Sequence, residues 1–289
     1  MDPRHRNRRH QGRVRLWLGL FCALFTQVAA WAAEVTLVQH NQGLDRPVRL
    51  VTPDASPGPW PLILALHGAG DDPDGFRAVL NLDGPATAAG FAVAWPVGVN
   101  RRWQYASPLL RGPAVPATMP DGAPVDDLAF LEKLVTRLVA DGMADPARVF
   151  LTGFSVGGLM TVTAGCAAPR RFAAIAVVSA GVSDTQAAAC AEGPPLPVLF
   201  VSGDGDPTFP WAGFANARGR MLSRPDSQAV FARRNGCGAV GAEDLMDARD
   251  ATDCHEGVAV RLLRLAGAGH LPMEGTGAII AGFFSRFRR

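Results

Sequence analysis

The stretch "RVFLTGFSVGGLM", residues 148–160, decides the fold of this chain. An apolar run, a sharp glycine-rich turn and the start of a helical segment follow one another here. This is the context of a serine held on a tight strand-to-helix turn, where side chains at Gly153 and Gly157 would clash with nearby backbone. The pattern G-x-S-x-G also arises by chance, so the rest of the chain must decide whether Ser155 is a nucleophile or an ordinary turn residue.

The segments around this turn predict an α/β fold. Apolar runs rich in valine, leucine and isoleucine alternate with helical patterns, which indicates a mostly parallel central sheet with helices on both faces. The predicted strands are 48–51, 62–66, 91–95, 149–152, 173–178, 198–201 and 258–265, and the predicted helices are 127–140, 158–167, 227–235 and 279–287. Asp126 or Asp127 is expected to cap the first helix. Residues 104–125, rich in proline and glycine, predict a surface loop that could act as a lid near the site.

Residues 1–32 have the pattern of a secretory signal peptide. Residues 1–15 are rich in arginine, residues 16–25 are apolar, and Ala30 and Ala32 stand where a signal peptidase reads small residues. The apolar run is too short to span a bilayer. We therefore expect a secreted or periplasmic protein without a membrane anchor, with residues 33–289 forming a single domain.

The charge of the chain argues against a polyanionic partner. The full sequence has 28 Lys and Arg residues against 26 Asp and Glu residues, a net charge of +2. Six of the arginines and one aspartate belong to residues 1–32, so the remainder carries about −3. No basic patch remains that would predict binding to nucleic acid or to an anionic membrane surface.

Four cysteines remain after residue 32, and an even number in an exported chain predicts disulfides. Of the three possible pairings we expect the one between sequence neighbours, Cys166–Cys190 and Cys237–Cys254, with free buried thiols as the alternative. There is no C-x-x-C spacing, and the one histidine beside a cysteine is His255, next to Cys254. No metal site is expected, and no cofactor is called for.

A serine hydroxyl becomes a useful nucleophile when a base lies within reach. Reactive groups of a parallel sheet collect in the loops beyond the carboxyl ends of its strands. His270 follows the predicted strand 258–265 in "GAGHLP", whereas His255 precedes that strand and so lies at the opposite end of the sheet. His270 is therefore the expected base.

The acid that would orient His270 is less clear from the residues alone. Asp204 and Asp206 both follow the predicted strand 198–201, in "VLFVSGDGDPTFP", and either could stabilise the charged imidazole. Spacing slightly favours Asp206, and Asp184, after the preceding strand, is a more distant candidate.

Two backbone amides are candidates for holding a developing oxyanion. Val156 follows Ser155 in the turn, before a helix whose N-terminus points amide donors toward a developing oxyanion, and Ala69 lies in "LILALHGAGDD", a glycine-rich loop after a buried strand. His67 lies in this same loop and before the serine, so a structural role is expected for its ring.

The chain resembles the secreted esterases grouped with polyhydroxybutyrate depolymerases and feruloyl or acetylxylan esterases. The resemblance is carried, over nearly all of residues 33–289, by segments that include "PLILALHGAG", "DPARVFLTGFSVGGLM", "PVLFVSGDGDPTFPWAG", "FARRNGC" and "GAGH". It implies the α/β-hydrolase fold and a triad of Ser155, Asp206 and His270, with Asp206 rather than Asp204 as the acid. Cys166 and Cys237 also match family positions.

Two departures from the family lie near the site and bear on substrate specificity. Ser202 stands where histidine is common, and Leu271-Pro272 follow the histidine where a tryptophan-proline pair is common. Trp103 and Trp211, in loops beyond strand ends, are candidates for contact with an acyl or aryl group, although packing roles are equally compatible.

The resemblance implies hydrolysis of small or oligomeric carboxylic esters, derived from polysaccharides or polyesters, through an acyl-enzyme. Two alternatives remain from the sequence: acyl transfer to another acceptor, of the mycolyltransferase type, and a non-catalytic binding protein on the same fold. A peptidase is a weaker third, since the sequence shows no pocket for a chain terminus.

Overall fold

A computed structural model describes residues 33–53, 57–71, 73–106, 116–241 and 248–289. The predicted signal peptide, 1–32, lies outside the described residues, as does the middle of the predicted lid loop, 107–115. The parts of that loop on either side contact the body of the protein, since Tyr105, Ala117 and Val125 are buried.

The strands and helices of the described residues follow the predicted alternation. The strands are β1 (Ala33–Asn41), β2 (Leu44–Thr52), β3 (Trp60–Leu66), β4 (Ala92–Pro96), β5 (Ala144–Phe154), β6 (Ala174–Val178), β7 (Val198–Gly203), β8 (Phe214–Asn216), β9 (Gly219–Met221), β10 (Ala239–Val240), β11 (Ala248–Thr252) and β12 (Val260–Leu265). The helices are α1 (Pro73–Leu80), α2 (Asp83–Ala88), α3 (Asp127–Ala140), α4 (Val156–Ala167), α5 (Asp184–Ala189), α6 (Arg224–Arg234) and α7 (Thr276–Phe284). None of these helices is both long enough and apolar enough to cross a lipid bilayer.

One sheet joins all of these strands except the β8–β9 hairpin, in the order β1-β2-β4-β3-β5-β6-β7-β12-β11-β10. Its centre, β4-β3-β5-β6-β7-β12, is parallel throughout. The strands at both edges pair antiparallel. The predicted mostly parallel sheet is therefore confirmed.

The sheet separates two hydrophobic cores. A single strand contributes to both, because its alternate side chains point to opposite faces of the sheet. Leu62, Leu64 and Leu66 of β3 point into the core under α3, α4 and α6. The alternate residues Ile63 and Ala65 point into the core under α1, α2 and α7. Helices thus cover both faces, as predicted.

The elements that the sequence did not predict are short or lie at the edges. The strand β1 is an edge strand with mostly exposed side chains, so it lacks the apolar run typical of the buried strands. The helices α1, α2 and α5 have six to eight residues, too few to display a clear helical period. The helix α6 begins at Arg224, three residues before its predicted start, because Ser223 caps it by accepting from the amide of Asp226.

The acidic pair before α3 divides two roles between its members. Asp126 is the cap, because its side chain accepts from the amide of Ala129 at 2.9 Å. Asp127 is buried and forms an ion pair with Arg46 of β2, with 2.6 Å between Oδ1 and Nη1.

Candidate active site

Ser155 lies on a sharp turn between β5 and α4, in a backbone conformation that a non-glycine residue seldom adopts (φ 55°, ψ −118°). Its amide donates to the carbonyl of Val178 at 2.9 Å. A Cβ at Gly153 would overlap the carbonyl of Gly157, and a Cβ at Gly157 would overlap the carbonyl of Leu66. The glycines are therefore needed for close backbone packing, which holds the serine in this strained position.

His270 and Asp206 complete a chain of hydrogen bonds from Ser155. Nε2 of His270 lies 3.0 Å from Oγ of Ser155, and Nδ1 lies 2.8 Å from Oδ2 of Asp206. An ionised carboxylate can only accept, so Nδ1 carries the proton and Nε2 is free to accept the serine proton. The loops after β5, β7 and β12 bring the three residues together, because parallel strands end at one edge of the sheet.

Asp206 is held as a carboxylate. Its side chain is fully buried, and Oδ1 accepts from the amides of Thr208 at 2.7 Å and Phe209 at 2.9 Å. Burial alone would raise the pKa of Asp206, but the hydrogen bond with His270 and those from the two amides outweigh it and lower the pKa below its ordinary value. Asp206 therefore stays negative at neutral pH, as an acid that stabilises a charged imidazole must.

The His270 ring is fixed by packing as well as by hydrogen bonds. Its centroid lies 4.9 Å from that of the Phe154 ring and 5.7 Å from that of Phe209, which stacks on it at 26°. Phe154 precedes the serine and Phe209 follows the acid, so the segments that carry the partners also restrict the imidazole.

The other candidate acids have different contacts. Oδ1 of Asp204 accepts from the amide of Gly267 at 2.6 Å, and its other oxygen lies 3.6 Å from Nε of Arg264. Asp204 thus joins the loop after β7 to the loop after β12. Asp184 accepts from the amide of Arg220 at 3.0 Å and is exposed.

Val156 and Ala69 lie where the sequence placed them. Val156 is the first residue of α4, so its amide has no acceptor within the helix. Ala69 lies in the loop after β3, which is closed by a hydrogen bond of 2.9 Å from the amide of Gly70 to the carbonyl of Arg101. Their role as oxyanion donors remains a prediction.

His67 has the contacts of a structural residue. Nδ1 donates to the carbonyl of Gly68 at 2.7 Å, and Nε2 accepts from the amide of Gly98 at 3.0 Å. Burial lowers the pKa of His67, with the hydrogen bond to Gly68 opposing this in part. A neutral ring is also the form that these two hydrogen bonds require.

Trp103 has a packing role, which the sequence allowed beside contact with a substrate. Its side chain is fully buried, its ring lies 5.0 Å from that of His67, and Nε1 donates to the carbonyl of His67 at 3.0 Å. It supports from within the loop after β3, residues 67–70, which is called the oxyanion loop here after its predicted role, because a buried indole N–H needs an acceptor and this loop carbonyl supplies one. Trp211 lies in the segment that follows Asp206 and is half-buried against the core, and contact with a substrate remains a prediction for it.

Two disulfides link segments of the chain that are 24 and 17 residues apart. Cys166–Cys190 joins the end of α4 to the end of α5, and Cys237–Cys254 joins the segment after α6 to the segment before β12. Among the described residues, no group of three or more His, Cys, Asp or Glu side chains is arranged to hold a metal ion.

Solved structures resemble this one over most of the length of the chain. A mutant of the feruloyl esterase module from Clostridium thermocellum, complexed with sinapinate, matches with a TM-score of 0.58 at 12% identity and covers 88% of this chain and 86% of the module. The acetyl xylan esterase from Aspergillus awamori matches with a TM-score of 0.55 at 16% identity, over 88% of this chain and 99% of that enzyme. The chain has the α/β-hydrolase fold.

Sequence relatives of this α/β-hydrolase are named as esterases. The chain is 33% identical over 163 residues to NocK of Nocardia uniformis subsp. tsuyamanensis, a protein assigned as an esterase, covering 56% of this chain and 45% of NocK. It is 25% identical over 244 residues to the bifunctional acetylxylan esterase/xylanase XynS20E of Neocallimastix patriciarum, covering 81% of this chain and 32% of that protein. The predicted resemblance to esterases is confirmed.

The matches are partial in length. The chain spans less than two thirds of the length of the first three curated relatives that it matches. A model of the prolyl oligopeptidase family matches residues 123–211, a segment that includes Ser155 and Asp206 but ends before His270.

Two buried arginines near the site were not identified from the sequence. Arg46 pairs with Asp127, and Arg224 lies at the start of α6. Arginine has no apolar period to reveal burial, and both lie far in sequence from their neighbours in the fold. The sequence offered one signal for the Arg46 pair, the adjacent Asp126 and Asp127. A helix needs one capping side chain, so the second carboxylate had no role until Arg46 was found beside it.

Proposed function

We propose that this protein is a serine esterase that hydrolyses carboxylic esters through an acyl-enzyme on Ser155. The observation that carries the proposal is the continuous hydrogen-bonded chain from Oγ of Ser155 through His270 to Asp206, at 3.0 Å and 2.8 Å. A positioned nucleophile, a neutral base and a buried carboxylate are the parts that acyl transfer requires.

In the first half of the reaction Oγ of Ser155 attacks the ester carbonyl while Nε2 of His270 takes its proton. The carbonyl oxygen becomes an anion that the amides of Val156 and Ala69 stabilise. His270 then gives the proton to the leaving alcohol, and an acyl-serine remains. Asp206 stabilises the imidazolium that exists between these two transfers.

In the second half His270 takes a proton from water, and the resulting nucleophile attacks the acyl-serine. The same oxyanion site is used again, and the proton returns from Nε2 to Oγ of Ser155 as the acid product leaves. Water is the acceptor in this proposal. An alcohol or sugar in its place would give the acyl transfer of the alternative hypothesis.

The proposed substrates are acetyl or feruloyl esters of plant polysaccharides, or hydroxybutyrate oligomers, met after export from the cell. Relatives named acetylxylan esterase and feruloyl esterase support the first two classes. The two disulfides support an oxidising compartment, secreted or periplasmic. Export itself rests on the pattern of residues 1–32.

Replacing Ser155 by alanine tests the proposal. We expect kcat for p-nitrophenyl acetate to fall at least about 1000-fold, because the nucleophile is lost while the oxyanion site remains. Unchanged circular dichroism would show that the fold is intact, and Ser285→Ala, at the end of α7, is the matched control. Turnover by Ser155→Ala close to that of the wild type would refute the assignment.

Two further measurements separate the alternatives. A fluorophosphonate should label the wild type and leave Ser155→Ala unlabelled, whereas a non-catalytic binding protein would leave both unlabelled. Methyl ferulate, acetylated xylan, hydroxybutyrate oligomers and a peptide p-nitroanilide, each with and without an added alcohol, would identify the acyl group and the acceptor. The peptide arm addresses the match to the prolyl oligopeptidase family.

A further inference from the structure

Arg224, the first residue of α6, is joined to the loop that carries Asp206. Its amide donates to the carbonyl of Trp211 at 2.9 Å, and its Nη2 donates to the carbonyl of Pro210 at 3.4 Å. On its other side, a Cβ at Gly181 would overlap the guanidinium, so this glycine leaves the space that the side chain fills. The guanidinium thus lies between the loop after β6 and the acid loop after β7.

The charge of Arg224 is buried and poorly compensated. Its side chain is fully buried, and within the described residues Nε and Nη1 meet no hydrogen-bond acceptor. Burial lowers the pKa of Arg224 to about 10, and the charge that opposes this is the carboxylate of Asp206. The guanidinium is still positive at neutral pH, where the enzyme would work.

Burying an arginine at this position costs free energy of folding for three reasons. A buried cation loses its hydration, its unpaired donors cost further free energy, and the start of a helix already carries a partial positive charge. Departures of this kind from the rules of stability are expected at functional sites. Arg224 contacts the candidate site through the loop that carries Asp206, at the carbonyls of Pro210 and Trp211.

We propose that Arg224 is a positioning residue that acts through Asp206: it anchors the acid loop, and its positive charge opposes protonation of His270 in the resting site. His270 must be neutral at Nε2 to accept the serine proton. A second cation near Asp206 repels the positive charge that His270 gains on protonation, so it makes the imidazolium less stable. Arg224 thereby extends the proposed esterase activity toward lower pH.

The other charged groups around the triad do not cancel this effect. Asp204 of the same loop is paired with Arg264 of β12, and Asp184 after β6 is exposed and bound to the amide of Arg220. On the side of the oxyanion loop the carboxylate of Asp71 lies against Gly68. All of these groups stay in place when Arg224 is replaced.

The test is the dependence of kcat/KM on pH, with p-nitrophenyl acetate, for the wild type, Arg224→Met and Arg224→Gln. We expect the midpoint of the acid limb to move upward by about half a unit to one unit in both variants, since both remove one nearby charge. The two variants differ in shape, so a shift in one alone would indicate a packing effect and overturn the proposal. An acid limb that coincides with the wild type in both would also overturn it.

Arg234→Met is the matched control. Arg234 lies at the other end of α6, is buried, and has Nη1 and Nη2 without hydrogen-bond partners among the described residues, but its Nε donates to the carbonyl of Pro194 at 3.2 Å. It is the same residue type on the same helix, away from Asp206. We expect the wild-type acid limb in Arg234→Met, and an equal shift there would refute a specific role for Arg224.

The kinetic readout rests on the proposed function, so a second readout is needed that does not. Titration of the His270 imidazole by NMR in the free protein needs no turnover. A higher midpoint in Arg224→Met than in the wild type would support the inference whether or not Ser155→Ala has refuted the esterase. Equal midpoints would overturn the inference and leave the esterase proposal standing.

Discussion

Two buried arginines flank the candidate active site, and they differ in how they are paired. On the side of the oxyanion loop, Arg46 binds Asp127 at 2.6 Å, donates twice to the carbonyl of Val97 and lies 3.5 Å from the centroid of the Phe130 ring. On the side of the acid loop, Arg224 reaches one carbonyl at 3.4 Å and leaves Nε and Nη1 without acceptors among the described residues.

The difference indicates two uses of a buried cation. The Arg46–Asp127 pair is connected to the oxyanion loop through Trp103, which lies 5.4 Å from the guanidinium and donates to the carbonyl of His67. Asp127 also accepts from the amide of Gln104 at 2.6 Å. A fully paired group of this kind positions backbone, whereas an incompletely paired one contributes its charge to the surroundings.

The largest expected effect separates the two arginines by stability. Arg46→Met should lower the free energy of unfolding by about 3–5 kcal/mol, because it leaves Asp127 buried without its partner. Arg224→Met should change it by less than about 1 kcal/mol or increase it, because it loses one hydrogen bond of 3.4 Å to the carbonyl of Pro210 but removes a buried cation, two of whose donors meet no acceptor among the described residues. Urea unfolding measures both, and equal losses in the two variants would contradict the comparison.

The next effect concerns the space around Arg224. Gly181→Ala should lower the free energy of unfolding by about 1–3 kcal/mol, because the added Cβ overlaps the guanidinium. In an Arg224→Ala background the same change should cost clearly less, and a double-mutant cycle gives the coupling. Gly282→Ala is the control, since a Cβ there meets no atom within 4 Å. Additive effects of the two changes would show that the guanidinium does not occupy this space.

The smallest expected effect is the contribution of His67 to the pH dependence of the free energy of unfolding. Burial lowers its pKa in the folded state, so below pH 6.5 the unfolded chain binds a proton that the folded protein does not. Stability therefore falls as the pH falls, by at most about 1.4 kcal/mol per unit from this residue. His67→Asn should lose less stability than the wild type between about pH 6.5 and 5.5 in urea titrations. A parallel loss in both proteins would show that His67 does not contribute.

Many of the strands and helices could be predicted from the pattern of apolar residues over short stretches of sequence. The strands of the parallel centre were predicted because each is a continuous apolar run, as burial on both faces requires. The edge strand β1 was missed because its side chains are mostly exposed, and the start of α6 was missed because a polar, arginine-containing first turn carries no apolar period. The strand order, by contrast, depends on pairings between distant segments.

The candidate site divides in the same way. The sequence by itself determined the turn at Ser155 and the choice of His270 over His255, because both depend on position relative to one strand end and on the sterics of glycine. Spacing and the family resemblance favoured Asp206 over Asp204, and the tertiary structure shows that Asp206 contacts the imidazole 64 residues away. The tertiary structure alone decided that Trp103 is buried under the oxyanion loop and that Arg224 lies against the loop that carries the acid. Contacts across such separations are set by how the loops pack at one edge of the sheet, and local sequence carries no record of that packing.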